Sequence, residues 1–218
     1  MDNENMEDLA SQLRQPQGMK GIEVAKTMNE TNIRMIYHSI KCLNILDNNR
    51  LLELGHANCT HLEHLLNQGA NLTYCGLEMS ELMNQESQRI NKAYTDTQQA
   101  SFYLYDGLNI PFPDNYFDRI FTVNTIYFWS KPELLLSELY RVTSPNGMMS
   151  ITFAQMEFMK QLPFSQFHFE LYDNDKIAKL VDATPFKIIG AETQTEVVKS
   201  KAGDLVDREF TTITMKKE

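Results

Sequence analysis

The feature that most constrains this chain is a regular alternation, from residue 50 onward, of short apolar runs with segments of helical apolar spacing. The apolar runs predict five β-strands, and the segments between them predict helices. The predicted strands are residues 50–54, 72–77, 101–105, 117–123 and 148–153, and the predicted helices are 60–68, 80–94 and 131–142. Strands joined by helices in this order form crossover connections, so we expect an α/β domain with a mainly parallel sheet.

The pattern changes on both sides of this region. Ahead of it, residues 4–15 and 22–46 predict two helices, separated by a stretch that contains proline and glycine. A turn at 145–147 precedes the fifth strand, and four segments follow it: irregular and aromatic 155–173, helical 174–183, and two longer strands, 186–197 and 207–216, that could pair antiparallel. We therefore expect an N-terminal helical extension, residues 1–46, and one further domain, residues 47–218.

Composition narrows the class of partner. Among 218 residues, 20 Lys and Arg stand against 29 Asp and Glu, a formal net charge of −9. Nucleic-acid-binding surfaces are normally basic, so we expect no nucleic-acid partner. Three widely spaced cysteines do not form a disulfide framework. The first residues are polar, and no apolar run approaches the ~20 residues of a membrane span, so we expect a cytoplasmic protein without one.

Residues suited to ligand binding follow the first four predicted strands. In an open parallel sheet, ligands bind beyond the carboxyl ends of the strands, near the point where the strand order reverses. The residues at these ends are Glu53 and Gly55, then Glu78 and Met79, then Asp106 and Gly107, and finally Asn124 and Thr125. Glu78 is placed to accept hydrogen bonds from two ribose hydroxyls, although a solvated loop carboxylate is an equal alternative.

Two longer motifs give this arrangement a family resemblance. Residues 106–118 read DGLNIPFPDNYFD, against the family pattern D-x-x-x-L-P-F-x-D-x-x-F-D, and residues 138–147 read ELYRVTSPNG, against E-x-x-R-V-L-K-P-G-G. In this order they resemble class I S-adenosylmethionine-dependent methyltransferases, in the branch related to ubiquinone/menaquinone-biosynthesis enzymes. The resemblance covers about residues 50–154. It implies a Rossmann-like, doubly wound, seven-stranded, mostly parallel sheet with a C-terminal antiparallel hairpin, S-adenosyl-L-methionine as cofactor, and a small-molecule acceptor.

The resemblance also implies a set of cofactor-binding positions. They lie at the ends of the first four strands: Glu53, Gly55, His56, Ala57, Glu78, Met79, Asp106, Gly107, Leu108, Asn124 and Thr125. By position, Glu78 is the ribose-binding acid, Met79 packs against adenine, and Asp106 contacts the adenine amino group. The acid and first glycine of the first-strand motif lie under the methionine part of the cofactor.

One motif departs from the family. Its D/E-x-G-x-G-x-G pattern becomes E-L-G-H-A-N-C here, so that Ala57 and Cys59 stand where glycines are usual. A non-glycine residue at positive φ carries strain of about 1 kcal/mol or more. This departure motivates an alternative, a non-catalytic protein that keeps the fold for ligand or partner binding. The same residues make a poor G-x-G-x-x-G, which disfavours a nicotinamide-dependent oxidoreductase.

The acceptor side is less defined. Tyr127, His168 and Tyr172 are candidate catalytic residues, with a structural role as the alternative for each. Several aromatic residues after the fifth strand either pack in the core or wall an acceptor pocket: Phe158, Phe164, Phe167 and Phe169. Polar residues of the N-terminal segment could face the site from a lid: Arg14, Asn29 and Asn32. We expect no metal site, because the spacing of His56, Cys59, His61 and His64 matches no common zinc motif.

Overall fold

A computed structural model describes residues 3–199 and 205–218 of the chain. Its seven strands form one sheet in the order β3-β2-β1-β4-β5-β7-β6. In chain order, β1–β7 are Arg50–Leu54, Thr73–Glu78, Ala100–Leu104, Phe117–Val123, Thr143–Ala154, Lys187–Lys199 and Leu205–Lys216. The first five strands are parallel, while β7 runs antiparallel to both β5 and β6. The predicted doubly wound sheet with a C-terminal antiparallel hairpin is confirmed.

Helices cover both faces of the sheet. The helices α1–α8 are Asn3–Arg14, Gly18–Cys42, Leu62–Leu66, Glu81–Ile90, Lys92–Asp96, Pro132–Val142, Met156–Met159 and Asn174–Asp182. Short side chains set several starts: the Ser80 hydroxyl accepts from the Met83 N–H at the start of α4, and Asp173 caps α8 in the same way. None of the described helices is long and apolar enough to cross a membrane.

Adjacent residues of one strand point into different cores, as the two-residue period of a strand requires. Leu51 packs with α2 and α3 residues such as Ile40 and Leu62, whereas Leu52 joins residues of α6 and α8 on the opposite face. A parallel sheet covered on both faces explains why Leu51 and Leu52 are both buried although they point to opposite sides.

Element boundaries differ from the predictions in three places. The first long helix begins at Gly18 and ends at Cys42, instead of spanning 22–46. The predicted helix 80–94 is two helices that meet at Asn91, whose side chain bonds the carbonyl oxygens of Cys59 and Ser87. The predicted turn at 145–147 lies inside β5, where the register against β4 shifts and Asn146 has φ 64°. Two short 3₁₀ helices, residues 126–128 and 163–166, are the remaining helical segments of the described residues.

Candidate active site

The strand order reverses on either side of β1, because the chain runs outward through β2 and β3 and then returns to β4 on the other side. The carboxyl ends of β1, β2 and β4 therefore surround one crevice. A cavity of about 160 Å³ lies there, closed from above by residues of α1 and α2. Ten of the predicted cofactor-binding residues line it: Glu53, Gly55, His56, Ala57, Glu78, Met79, Asp106, Gly107, Asn124 and Thr125. Leu108 lies beside this wall and does not line the cavity.

Gly55 is required by both its backbone and its neighbour. Its φ is 70°, and a Cβ at this position would lie 2.4 Å from Cγ2 of Thr125 on the next loop. Its N–H donates to the carbonyl oxygen of Leu77, which joins the loop to β2 at 2.8 Å. The chain after β1 can therefore turn tightly and leave its backbone open toward the cavity.

Ala57 and Cys59 keep the loop shape that glycine would favour. Their φ values are 49° and 50°, in the left-handed region. The Ala57 N–H donates to Oε2 of Glu78 at 3.0 Å. The Cys59 side chain is fully buried and donates to Oη of Tyr74 at 3.3 Å, on the side of the loop away from the cavity. Both residues thus hold the loop in place without filling the crevice.

Glu78 is the most constrained acid of the site. Its Oε1 accepts the backbone N–H groups of Met79 and Ser80 at 2.8 and 2.9 Å, while Oε2 accepts that of Ala57. Burial raises the pKa of Glu78 to about 7, against the effect of these three donors. Oε2, which accepts only one N–H group, has a further lone pair, so the carboxylate can still accept a hydroxyl group of a ligand.

Glu53 is held from behind by a buried cluster. Its Oε2 accepts the Tyr74 hydroxyl at 2.6 Å and lies 2.8 Å from Nε2 of His61. Burial disfavours a charge on His61, but Glu53 and Cys59 beside it raise the pKa of His61 well above its usual range. These contacts fix the direction in which Glu53 faces the cavity.

His56 contributes a buried, uncharged ring to the site. Its ring is buried against the backbone of Gly76, where a Cβ would lie 2.5 Å from Cδ2, and it meets the Phe102 ring edge-on at 5.0 Å. Burial lowers the pKa of His56 to about 4, so its side chain is neutral near neutral pH. Gly107 has φ 85° and lies against the Met79 side chain, where a Cβ on the glycine would be 2.9 Å from the Met79 sulfur. Backbone N–H groups of Asn109 and Leu108 hold the exposed Asp106 carboxylate and lower its pKa.

The N-terminal helices contribute residues that the family motifs do not contain. Arg14, Asn29 and Asn32 line the cavity, as the lid interpretation anticipated. Asn32 Oδ1 accepts from Nδ2 of Asn124 at 3.1 Å, and Asn29 approaches Asn58 at 3.5 Å. Arg14 is the only arginine or lysine on this wall within the described chain.

A second cavity of about 140 Å³ adjoins the first. The two share Leu13, Met28, Asn32, Asn124 and Phe128. Its wall is mostly apolar and includes three of the aromatic residues that follow β5, namely Phe158, Phe164 and Phe169. Arg208 of β7 is its only charged wall residue in the described chain.

Arg208 is fixed next to the junction of the cavities. Its Nη1 donates to Oδ1 of Asn32 at 3.0 Å, and its Nε and Nη2 donate to Oε1 of Glu196 at 3.1 and 2.6 Å. Nη2 also donates to the carbonyl oxygen of Thr31. These contacts engage four of the five guanidinium N–H groups and leave one, on Nη1, outside the bonds that the described residues make.

The predicted catalytic residues do not come together. The Tyr127 ring lines the second cavity, but its hydroxyl bonds Oδ1 of Asn124 and the backbone of Ala154, and burial raises its pKa. Tyr172 is buried in the core below Nζ of Lys176. His168 is exposed, with Nε2 3.5 Å from Oε1 of Glu7. Neither His168 nor Tyr172 lines either cavity. These placements favour structural roles for all three.

Comparisons with known proteins agree with the fold. Residues 52–151 match the model of the family described as "Methyltransferase domain". A fatty-acid O-methyltransferase of Mycolicibacterium smegmatis is 27% identical over 132 residues, which cover 60% of this chain and 46% of that protein. The chain thus spans about half the length of this curated relative.

Two solved structures illustrate the likeness of the fold. An S-adenosylmethionine-dependent methyltransferase from Aquifex aeolicus superposes with a TM-score of 0.63, 18% identity and 100% coverage of both chains. A Haemonchus contortus phosphoethanolamine N-methyltransferase, solved with S-adenosylhomocysteine, gives 0.65 at 15% identity, covering 84% of this chain and 52% of that one. Residues 52–151 are thus similar to a methyltransferase domain, and the sheet has the fold of the solved S-adenosylmethionine-dependent methyltransferases.

Proposed function

We propose that this protein transfers the methyl group of S-adenosylmethionine to a carboxylate oxygen of a small acid with an apolar body. The observation that carries the proposal is the second cavity, whose wall is apolar except for polar residues gathered around Arg208 at the junction with the first. A pocket of this composition suits an apolar molecule with one anionic end. The fatty-acid O-methyltransferase relative supports the same class of acceptor.

The first cavity fits the cofactor in chemistry as well as in position. In our proposal Glu78 accepts a ribose hydroxyl group, Met79 and Gly107 border the base, and Glu53 faces the cationic end. Arg14, the basic residue at the mouth, is suited to the cofactor's carboxylate. When bound, S-adenosylmethionine supplies a methyl carbon on a sulfonium that an acceptor oxygen can attack, while the carbon–sulfur electron pair leaves on sulfur.

A carboxylic acid acceptor would need no general base. A carboxylic acid is already ionised near neutral pH, so its oxygen is a ready nucleophile, whereas an alcohol would require proton removal. The second cavity has no carboxylate or imidazole among its described wall residues. Tyr127 is a poor base, because its pKa is raised and its hydroxyl is already hydrogen-bonded to Asn124 and Ala154. Asn32 and Arg208 orient the acceptor, and the apolar wall excludes water.

Substrate screening with two glutamate variants tests the proposal. We expect labelled methyl transfer to straight-chain carboxylic acids, detected as methyl esters, and none to alcohols or amines of equal length. Val206→Glu places a carboxylate on the cavity wall and should raise KM for the acid by about tenfold or more, since like charges disfavour binding. Val197→Glu makes the same change on the exposed side of the adjacent strand and should leave KM unchanged.

The outcomes separate the parts of this proposal. Transfer to alcohols or amines but not to acids would refute the acceptor class and leave the cofactor assignment intact. Absence of S-adenosylhomocysteine binding to the folded protein would refute the cofactor site itself. The narrower resemblance to ubiquinone/menaquinone-biosynthesis enzymes stays a prediction, which quinone precursors in the same screen would test.

A further inference from the structure

A group of metal-ligating side chains lies where α2 crosses the C-terminal hairpin, outside both cavities. His38 and Cys42 are one helical turn apart on α2, and Glu192 faces them from β6. One donor atom from each residue lies within 4.8 Å of the other two. Two ligands at i and i+4 on one helix face are a common way of building a metal site.

His38 is prepared for a cation on its second nitrogen. The side chain is 7% exposed, and Nδ1 lies 2.9 Å from Oγ1 of Thr212, which in turn lies 2.7 Å from Oγ1 of Thr152. Nε2 is buried and has no hydrogen-bond partner, although Oε2 of Glu192 is 3.3 Å away. A ligating histidine typically has its other nitrogen fixed by such a hydrogen bond, which leaves a lone pair directed at the metal.

Cys42 and Glu192 complete the donor set. The Cys42 sulfur lies 3.8 Å from Oε1 of Glu192 and 3.7 Å from Nδ1 of His38. Thiolate, imidazole and carboxylate together suit Zn²⁺, whereas Mg²⁺ and Ca²⁺ prefer oxygen ligands alone.

We infer that His38, Cys42 and Glu192 bind a divalent cation of the Zn²⁺ class, with three protein ligands and a remaining position open to solvent. The half-exposed Cys42 and exposed Glu192 give the ion a path of entry. A cation here would tie α2 to the β6–β7 hairpin. The same helix carries Asn32 and the same hairpin carries Arg208, so the ion would brace the wall of the second cavity from outside.

A second group of metal-ligating side chains, Glu53, Cys59 and His61, is buried and already hydrogen-bonded. All three side chains are buried, and Glu53 is already bonded by Tyr74 and His61. A cation there would have to break these contacts and displace protons from the core. We therefore use this group as the competing site in the test.

The test is a Co²⁺ and Zn²⁺ titration of the full chain after removal of metal by chelation, with Cys→Ser variants at each cysteine. We expect one Co²⁺ per chain with thiolate-to-cobalt charge-transfer absorption, displaced by Zn²⁺. The absorption should disappear in Cys42→Ser and persist in Cys59→Ser and Cys75→Ser. Zn²⁺ should raise Tm in the wild type and fail to do so in Glu192→Gln, a change at an exposed side chain that preserves the fold.

Two results would overturn the inference. One is the absence of charge-transfer absorption at micromolar Co²⁺ in the folded wild-type chain. The other is loss of the absorption in Cys59→Ser but not in Cys42→Ser, which would assign the ion to the buried group. A further variant, Thr212→Val, keeps all three ligands but removes the hydrogen bond to His38, and should weaken Zn²⁺ binding by about 10- to 100-fold. A purely structural role for Thr212 would leave that affinity unchanged.

Discussion

Replacing Glu78 with glutamine is the sharpest probe of the cofactor site, because the change is nearly isosteric and its consequences can be followed atom by atom. In Glu78→Gln, Oε1 can still accept from Met79 and Ser80. The new amide nitrogen takes the place of Oε2 and meets the Ala57 N–H, so a donor faces a donor. The variant loses its charge, one backbone contact, and one acceptor for a ribose hydroxyl.

The expected size of the effect follows from the hydrogen bonds involved. A hydrogen bond to a charged group contributes about 1.5–3 kcal/mol. Loss of one such bond to the ribose therefore weakens S-adenosylhomocysteine binding by about 10- to 150-fold, at 1.4 kcal/mol per tenfold change. The displaced Ala57 N–H adds a smaller cost to the stability of the unliganded loop.

The pH dependence has a definite sign. The pKa of Glu78 is raised to about 7, and ribose hydroxyls favour the ionised carboxylate, so affinity should increase as pH rises through 7. The unliganded fold behaves in the opposite way: a carboxyl group whose folded pKa exceeds its unfolded value stabilises most below the unfolded pKa and loses that contribution as pH rises through 7. His56, with a pKa of about 4, does not titrate in this range.

Isothermal titration calorimetry with S-adenosylhomocysteine, about one pH unit below and above 7, measures the loss of affinity in the variant and the pH dependence of affinity. Glu81→Gln, an exposed change in the first turn of α4, is the matched control and should bind like the wild type. Glu78→Gln should bind weakly with no pH dependence in this interval. An unchanged Kd in Glu78→Gln, or the same pH profile in both proteins, would refute the role of this carboxylate.

Two further predictions concern the loop and the lid. Ala57→Gly removes a left-handed strain of about 1–2 kcal/mol but adds about 0.4–1 kcal/mol of unfolded-state entropy, so denaturant unfolding should show a gain of about 0–1.5 kcal/mol and a loss would contradict the strain. Arg14→Gln should weaken S-adenosylhomocysteine binding by about two- to fivefold, since an ion pair between Arg14 and the ligand carboxylate would be exposed to solvent. Arg89→Gln, on the outer face of α4, should leave the affinity unchanged. Equal affinities for both variants by calorimetry would remove Arg14 from the site.

Much of the sheet could be predicted because its signals are local. The apolar run at Arg50–Leu54 ends at a glycine, and each of the next three strands ends beside a polar residue, so strand ends and crevice follow from order along the chain. The polar residues of the N-terminal helices could also be predicted from local spacing, because Asn29 and Asn32 lie one helical turn apart on α2.

The aromatic wall of the second cavity was among the predicted alternatives, but its polar end around Arg208 could not be predicted in this way. Arg208 meets Asn32 across 176 residues of sequence, and neither residue belongs to a motif. The irregular segment after β5 has no periodicity to set side-chain direction, which is why Phe164 and Phe169 enter the cavity wall while His168 between them points to solvent. The Pro145-Asn146-Gly147 triplet has the composition of a turn, yet it lies inside β5, where Asn146 and Gly147 form backbone hydrogen bonds with Lys217.

The altered glycine motif bears on whether the domain is a working enzyme or a non-catalytic relative. Substitution of glycine would close the crevice only if the new side chains pointed inward or forced the backbone out of the left-handed region. Ala57 and Cys59 keep φ near 50°, the Cys59 sulfur is buried against Tyr74, and Ala57 adds only a methyl group at the cavity wall. Glu78 anchors the same loop through the Ala57 N–H, so the acid that we assign to ribose also offsets the strain of the missing glycine. The loop is therefore kept in a cofactor-binding shape by different contacts, which favours a catalytic domain over a degenerate one.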